Sequence, residues 1–115
     1  MNKTISSETS RVGSSHYDIK YVTNLKNENG KRLFGRIRVD NKIIEIDKGS
    51  SYETTLQAIL HENLHGIFWE YTLDDDEELV EPLSNGFFAF IINNPEFIRE
   101  ILCFAAKREK RRKKI

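Results

Sequence analysis

The chain has a single cysteine, Cys103, among its 115 residues, so it cannot form an intramolecular disulfide or a thiolate cluster around a metal ion. Because apolar residues flank this cysteine on both sides, we predict a buried thiol that acts as a small apolar side chain. Prolines and glycines are also few, two and six respectively, which excludes collagen-like and proline-rich low-complexity chains.

Long hydrophobic runs are lacking as well. The longest apolar run, from Phe87 to Ile92, is only six residues long, whereas a helix that spans a membrane needs about 20. The N-terminal sequence MNKTISSETSRVGSS has no hydrophobic core of the kind found in signal peptides. We therefore predict a cytoplasmic protein that makes no contact with membranes.

The charge of the chain sums to zero but is distributed unevenly. Residues 107–114 contain seven bases and one acid, whereas residues 1–106 contain eleven bases and seventeen acids. We predict a flexible N-terminal tail over 1–14, one domain over 15–106 and a basic C-terminal tail over 107–115. Because no aromatic residues are interleaved with these bases, the tail predicts at most a non-specific contact with nucleic acid.

The first half of the chain has the alternating pattern of half-buried strands over residues 16–25, 33–39 and 42–47. Asp40 and Asn41 tolerate the positive φ of a tight turn, so we predict that the last two strands pair antiparallel. These segments predict a small antiparallel sheet of about three strands. The strand Lys42–Asp47 is interpreted either as an edge that binds an extended peptide or as one whose charges prevent aggregation.

The second half has helical periodicity. Apolar residues at i, i+3 and i+4 predict a helix from about 52 to 70. The acidic run 74–78 supplies a cap and a favourable first turn for a second helix, which ends before Pro95. Residues 96–106 predict a third helix. The predicted apolar faces of these two helices are Leu79, Val80, Leu83, Phe87, Phe90 and Ile91, and Phe97, Ile98, Ile101, Leu102 and Ala105. The predicted class is therefore α+β.

An HExxH motif, HENLH at residues 61–65, lies inside the first predicted helix. Residues four apart on a helix lie one above the other, so His61 and His65 can bind one metal ion. Glu62 is then placed to take a proton from a metal-bound water, which zinc makes acidic enough to ionise near neutral pH. Two solvated histidines are the alternative interpretation. The motif favours the metal, because both histidines border the apolar stripe of Leu60, Leu64 and Phe68.

A catalytic zinc ion usually has three protein ligands, so a third must be found. No histidine follows His65, and His16 precedes a strand far upstream. A carboxylate of the second helix is therefore the better candidate. Helical geometry alone leaves Glu77, Glu78 and Glu81 open, and some of these acids also complement the helix dipole.

The sequence HENLH, followed about a dozen residues later by EELVEPLSNGFF, resembles the gluzincin branch of the zincin metallopeptidases over about residues 33–95. This branch includes the thermolysin-like enzymes and the minimal ImmA/IrrE-like proteases, and the short chain also resembles compact metallopeptidase-like proteins of phages and bacteria. The resemblance implies a zincin-like fold, a Zn²⁺ cofactor and a peptide or protein substrate. It implies that His61, His65 and Glu78 bind the metal and that Glu62 is the general base.

Two departures from the family pattern leave other functions open. Pro82 occupies the position four residues after Glu78, where the family often has an acid that orients a histidine, and Tyr71 is the nearest candidate to stabilise an oxyanion. One alternative is a catalytically weak zincin-fold module with a binding or regulatory role in a phage or bacterium. Another is a DNA-associated protease that resembles the SprT group, which normally has a further histidine that this sequence lacks.

Overall fold

A computed structural model describes residues 9–71 and 74–113 of the chain, without the side chain of Lys113. The fold is α+β, with four strands followed by three helices. Their bounds are Thr9–Val12 (β1), Ser15–Val22 (β2), Gly35–Arg38 (β3), Ile43–Asp47 (β4), Tyr52–Glu70 (α1), Glu77–Asn93 (α2) and Pro95–Lys113 (α3).

The sheet is mixed, with the strand order β1-β2-β4-β3. The predicted antiparallel pairing of β3 with β4 is confirmed. The prediction of an antiparallel sheet of about three strands is wrong, because β2 and β4 pair parallel, with Ile19 opposite Ile44, and β1 adds a fourth strand. The parallel pair arises because the chain leaves β2, forms the outer strand β3 first and then returns as β4 between them.

Two sequence predictions about the sheet are corrected by this order. The strand Lys42–Asp47, predicted as an edge, corresponds to β4, which has a partner on each side. Within the described residues, β1 and β3 are the edge strands. Residues 9–12 belong to the predicted flexible tail but form β1, which Val12 anchors with an exposed fraction of 4%. The rest of that tail, residues 1–8, lies outside the described residues.

The main core lies between the sheet and α1. Tyr17, Ile44 and Ile46 are fully buried, and Ala58 of α1 packs with them. A Cβ atom on Gly66 would lie 3.2 Å from Cδ1 of Ile37, so the absence of a side chain there allows the helix to approach the sheet closely.

Helix α1 has the predicted bounds and is held at both ends. At its start, the Ser51 hydroxyl accepts a hydrogen bond from the backbone N–H of Thr54 at 3.2 Å. At its end, the Glu70 carboxylate accepts hydrogen bonds from Ser15 Oγ at 2.8 Å, Tyr17 Oη at 2.9 Å and Lys42 Nζ at 2.9 Å. The helix is therefore fixed to strand β2 and to the turn before β4.

Helix α2 begins after Asp76, whose carboxylate accepts a hydrogen bond from the backbone N–H of Glu78 at 2.9 Å. Val80 is fully buried and packs with Leu64 and Phe68 of α1, and Ser84 is 3% exposed. The predicted apolar face of this helix is wrong in part, because Leu79, Leu83, Phe87 and Phe90 are between 40 and 51% exposed.

The chain divides near Asn85 and Gly86 into two compact units. The first holds the sheet, α1 and the start of α2. In the second, none of the described side chains from 86 to 112 is buried. The predicted inward face of the third helix is therefore wrong, as is the predicted burial of Cys103, because nothing in this unit covers α3. The predicted basic tail is helical through Lys113, which fits the helix-forming Lys and Arg side chains.

Candidate metal centre

His61 and His65 lie on adjacent turns of α1, with ring centroids 5.0 Å apart. Their side chains are 18% and 12% exposed, and Leu64 between them belongs to the core. The predicted position of the histidine pair at the border of the core is confirmed. Each ring therefore has one side against the protein and one side open to a ligand.

Glu77, the first residue of α2, meets both histidines. Its Oε1 lies 2.8 Å from Nε2 of His61, and its Oε2 lies 3.1 Å from Nε2 of His65. The prediction chose Glu78 as the third ligand, whereas the structure brings Glu77 and not Glu78 to the histidines. Within the described part of the chain, the exposed carboxylate of Glu78 reaches neither imidazole.

The side of α2 that packs against α1 explains why Glu77 is the residue brought to the histidines. The buried residues Val80 and Ser84 define that side, and Glu77 and Glu81 each precede one of them by three residues, which places them on adjoining turns of the same side. Glu78 is rotated from Glu77 by about 100° around the helix axis. The sequence prediction centred the packed side on Leu79 and Leu83, which are exposed.

A second carboxylate lies behind each histidine. Nδ1 of His65 is 2.6 Å from Oδ1 of Asp75, and Nδ1 of His61 is 3.8 Å from Oε2 of Glu81. A carboxylate that is hydrogen-bonded to one ring nitrogen orients an imidazole so that its other nitrogen faces a metal ion. Asp75 lies at that distance from His65, whereas Glu81 is too far from His61 for a hydrogen bond. In the sequence, Asp75 was interpreted only as a helix-capping charge.

Glu62 lies beside the histidines and is 7% exposed. Burial raises the pKa of Glu62 to about 7, with His65 opposing this shift and the carboxylates of Glu77, Asp75 and Glu81 adding to it. Gly35 of β3 faces this side chain, since a Cβ atom there would lie 3.1 Å from Cγ of Glu62. A residue with a side chain at position 35 would displace the Glu62 carboxylate.

The site contains more acid than its own bases can neutralise. Four carboxylates, those of Glu62, Asp75, Glu77 and Glu81, surround two imidazoles. Even with both rings protonated, one negative charge would remain when Glu62 is protonated and two when it is ionised. The electrostatics of the site therefore favour a bound cation.

The donor set suits a metal ion. One nitrogen of each histidine and one oxygen of Glu77 lie within 4.8 Å of one another. The two shortest distances join different oxygens of Glu77 to the two Nε2 atoms, so the carboxylate faces both rings. Two imidazoles and a carboxylate are a donor set of catalytic zinc sites, which leave a fourth position for water.

A cleft of about 600 Å³ opens beside the site. His61, Glu62 and Glu77 line one part of it, and Lys31 and Arg32 line another. Arg32 is held there by Asp47, which is 1% exposed and lies 2.8 Å from the guanidinium. The other predicted site residues lie elsewhere: Tyr71 is 60% exposed and does not line the cleft, and His16 is exposed on β2.

No protein-family model, curated protein or solved structure matches the chain at a significant level. Within residues 9–71 and 74–113, no helix combines the length and the hydropathy that crossing a bilayer requires.

Proposed function

We propose that the protein is a zinc-dependent metallopeptidase of zincin-like fold, in which His61, His65 and Glu77 hold the metal and Glu62 is the general base. The convergence of both Nε2 atoms on the Glu77 carboxylate carries this proposal. Bound zinc supplies an acidic water and a Lewis acid that polarises the peptide carbonyl. The excess of carboxylates around the histidines supports a cation at this place.

Glu62 suits the role of proton acceptor. Its pKa of about 7 results mainly from burial, and a carboxylate with a pKa near the working pH both accepts and returns a proton efficiently. It takes a proton from the attacking water at its carboxylate oxygen and passes it to the nitrogen of the departing amine.

An extended peptide is the substrate that the cleft favours. The strand β3 forms an edge of the sheet, and its Gly35 lies directly against Glu62. A peptide that adds to this edge by backbone hydrogen bonds would run along the cleft and past the histidines. The proposed docking edge is therefore β3 and not the interior strand β4.

Zinc content tests the metal site. The purified protein is expected to hold one zinc ion per chain, measured by mass spectrometry of the metal after dialysis, and His61→Ala is expected to abolish zinc binding.

A comparison of two neighbouring glutamates tests the third ligand. Glu77→Ala and Glu78→Ala are matched variants on one turn of α2. We expect a loss of zinc affinity of at least about tenfold in the first and none in the second. Equal affinities in these two variants would reject the proposed ligand set.

Peptide hydrolysis tests the catalytic part separately. Glu62→Gln is expected to retain zinc and fold but to lose at least about 100-fold in kcat on an unfolded protein substrate. A zinc-binding module without enzymatic activity is the second candidate function. The absence of any tyrosine or further histidine from the residues that line the cleft favours it, since neither is there to stabilise an oxyanion. Full zinc occupancy with no hydrolysis in the wild-type protein would select this second function.

A further inference from the structure

The second unit of the chain presents a large apolar surface. Eight of its large apolar side chains are between 37 and 63% exposed: Phe87, Phe90, Ile91, Ile92, Phe97, Ile101, Leu102 and Phe104. At about 150–250 Å² for each fully exposed large side chain, they display roughly 800 Å². The largest apolar patch of a typical monomer is roughly 300–600 Å², so this surface exceeds what a chain that acts alone usually shows.

The apolar residues are arranged as a face and not scattered. On α3, Phe97, Ile101 and Phe104 follow one another at helical spacing, and Ile98, Leu102 and Ala105 widen this row into an arc of about 160°. At the start of α3, the ring of Phe97 contacts the ring of Phe90 with centroids 6.1 Å apart. This contact joins the face of α3 to the apolar end of α2.

We propose that this face of α3, together with the end of α2, is a dimer interface that binds a second copy of the same chain with the two α3 helices antiparallel. The exposed apolar area of roughly 800 Å² equals the area that each partner contributes to an interface of standard size. Burial of several aromatic side chains at its centre supplies the main stabilisation.

The charges of α3 are complementary to a second α3 in the antiparallel orientation. The first two turns carry Glu96, Arg99 and Glu100, a net charge of −1, whereas residues 107–113 in the last two turns carry six bases and one acid, a net charge of +5. Antiparallel helices bring the basic end of each copy to the acidic end of the other, whereas parallel helices would set the two basic ends side by side. The positive end of the helix dipole would also meet the partner's negative end.

The distribution of the basic residues on α3 argues against a membrane as the partner of this apolar face. In a helix that lies on a membrane, Lys and Arg flank the apolar face along its length. In α3 all of them except Arg99 follow the apolar face along the helix axis and occupy the last two turns on all sides. A second, antiparallel α3 can contact both the apolar face and the basic turns that follow it. A flat anionic membrane would contact only the bases on one side of those turns.

Sedimentation equilibrium of the full chain over the micromolar range tests the proposal, and we expect twice the chain mass. Ile101→Asp is expected to give the monomer mass, because it places a carboxylate at the centre of the face. Cys103→Asp is the matched control, since a rotation of about 200° sets it on the opposite side of α3 and Cys103 is exposed. Unchanged zinc content and circular dichroism would show that both variants are folded.

A wild-type monomer across this range would overturn the proposal, as would a dimer that survives Ile101→Asp. Binding of the monomer to vesicles of phosphatidylcholine and phosphatidylserine would assign the face to a membrane instead. The orientation is tested by disulfide formation in a Cys103→Ser background. A mixture of Ile98→Cys and Glu109→Cys chains, with the two positions 11 residues apart on the same side of α3, is expected to give the mixed disulfide, and self-linking of Ile98→Cys would reject the antiparallel arrangement.

Discussion

At the scale of single residues, the carboxylate behind each histidine decides how the site presents its metal-binding atoms. The 2.6 Å distance between Asp75 Oδ1 and His65 Nδ1 fixes the ring so that Nε2 points to Glu77. Asp75 comes from the short non-helical segment before α2, while Glu81 approaches His61 from α2 itself. The two histidines of α1 therefore face carboxylates that come from two different backbone segments.

Asp75→Asn is expected to lower zinc affinity about 10- to 100-fold, because the amide is a weaker acceptor and holds the ring less firmly. Competition with a fluorescent zinc chelator measures the change. Asp74→Asn, at an exposed neighbouring residue, serves as the control for the loss of one negative charge near the site. If both variants bind zinc equally well, Asp75 does not orient His65.

At the scale of secondary structure, α1 depends on the ion-pair cluster at its end. Hydrogen bonds from Lys42, then Ser15 and Tyr17, hold the pKa of Glu70 below its ordinary value. A carboxyl group whose pKa is lower in the folded state stabilises the fold above its unfolded pKa of about 4.3. This contribution is lost as the pH falls through the lower, folded value.

Glu70→Gln is therefore expected to have a lower free energy of unfolding than the wild type at pH 7, with a difference that shrinks below pH 4. Urea denaturation followed by circular dichroism at both pH values measures this. Glu53→Gln provides a control in the exposed first turn of the same helix. A difference that is the same at both pH values would mean that the charge of Glu70 is not what holds the end of α1.

The bounds of α1 and α2 and the start of α3 were predictable to within a few residues because the apolar period, Ser51 and the acidic run before α2 are local signals. The end of α3 was predicted seven residues too early, at residue 106. The packed side of α2 was not predictable, because apolar residues surround most of that helix and only tertiary contacts show that Val80 and Ser84 are the buried ones. The choice of Glu78 followed from the family resemblance, since helical geometry alone left Glu77, Glu78 and Glu81 open. The parallel pairing of β2 with β4 depends on where the chain inserts β3, and no residue between them signals this order.

At the scale of the whole molecule, the acids and bases of the chain are separated along the sequence. The last helical turns, over residues 107–113, hold six of the eighteen basic residues, and four acids surround the two histidines. A basic cluster without base-reading groups binds the phosphate backbone without regard to sequence. We therefore expect the basic end of α3 to attract polyanions as well as the acids of a second copy.

We expect the full chain to be retained weakly on duplex DNA at low salt, with no preference between sequences and a loss of affinity between about 50 and 200 mM salt. Removal of residues 107–115 is expected to abolish this retention while zinc binding is unchanged. Fluorescence anisotropy with two unrelated duplexes measures both effects. Retention that persists after the removal, or that depends on the duplex sequence, would assign DNA binding to another surface.

Helix α1 is held at both ends, and this affects the order in which the parts of the site would bind an ion. Ser51 stops the helix from fraying at one end and Glu70 ties it to the sheet at the other, so both imidazoles are ordered before any ion arrives. Glu77, by contrast, starts a helix next to an exposed segment. If the proposed site binds zinc, the ion would meet the two imidazoles of α1 first, and Glu77 would complete the ligand set afterwards.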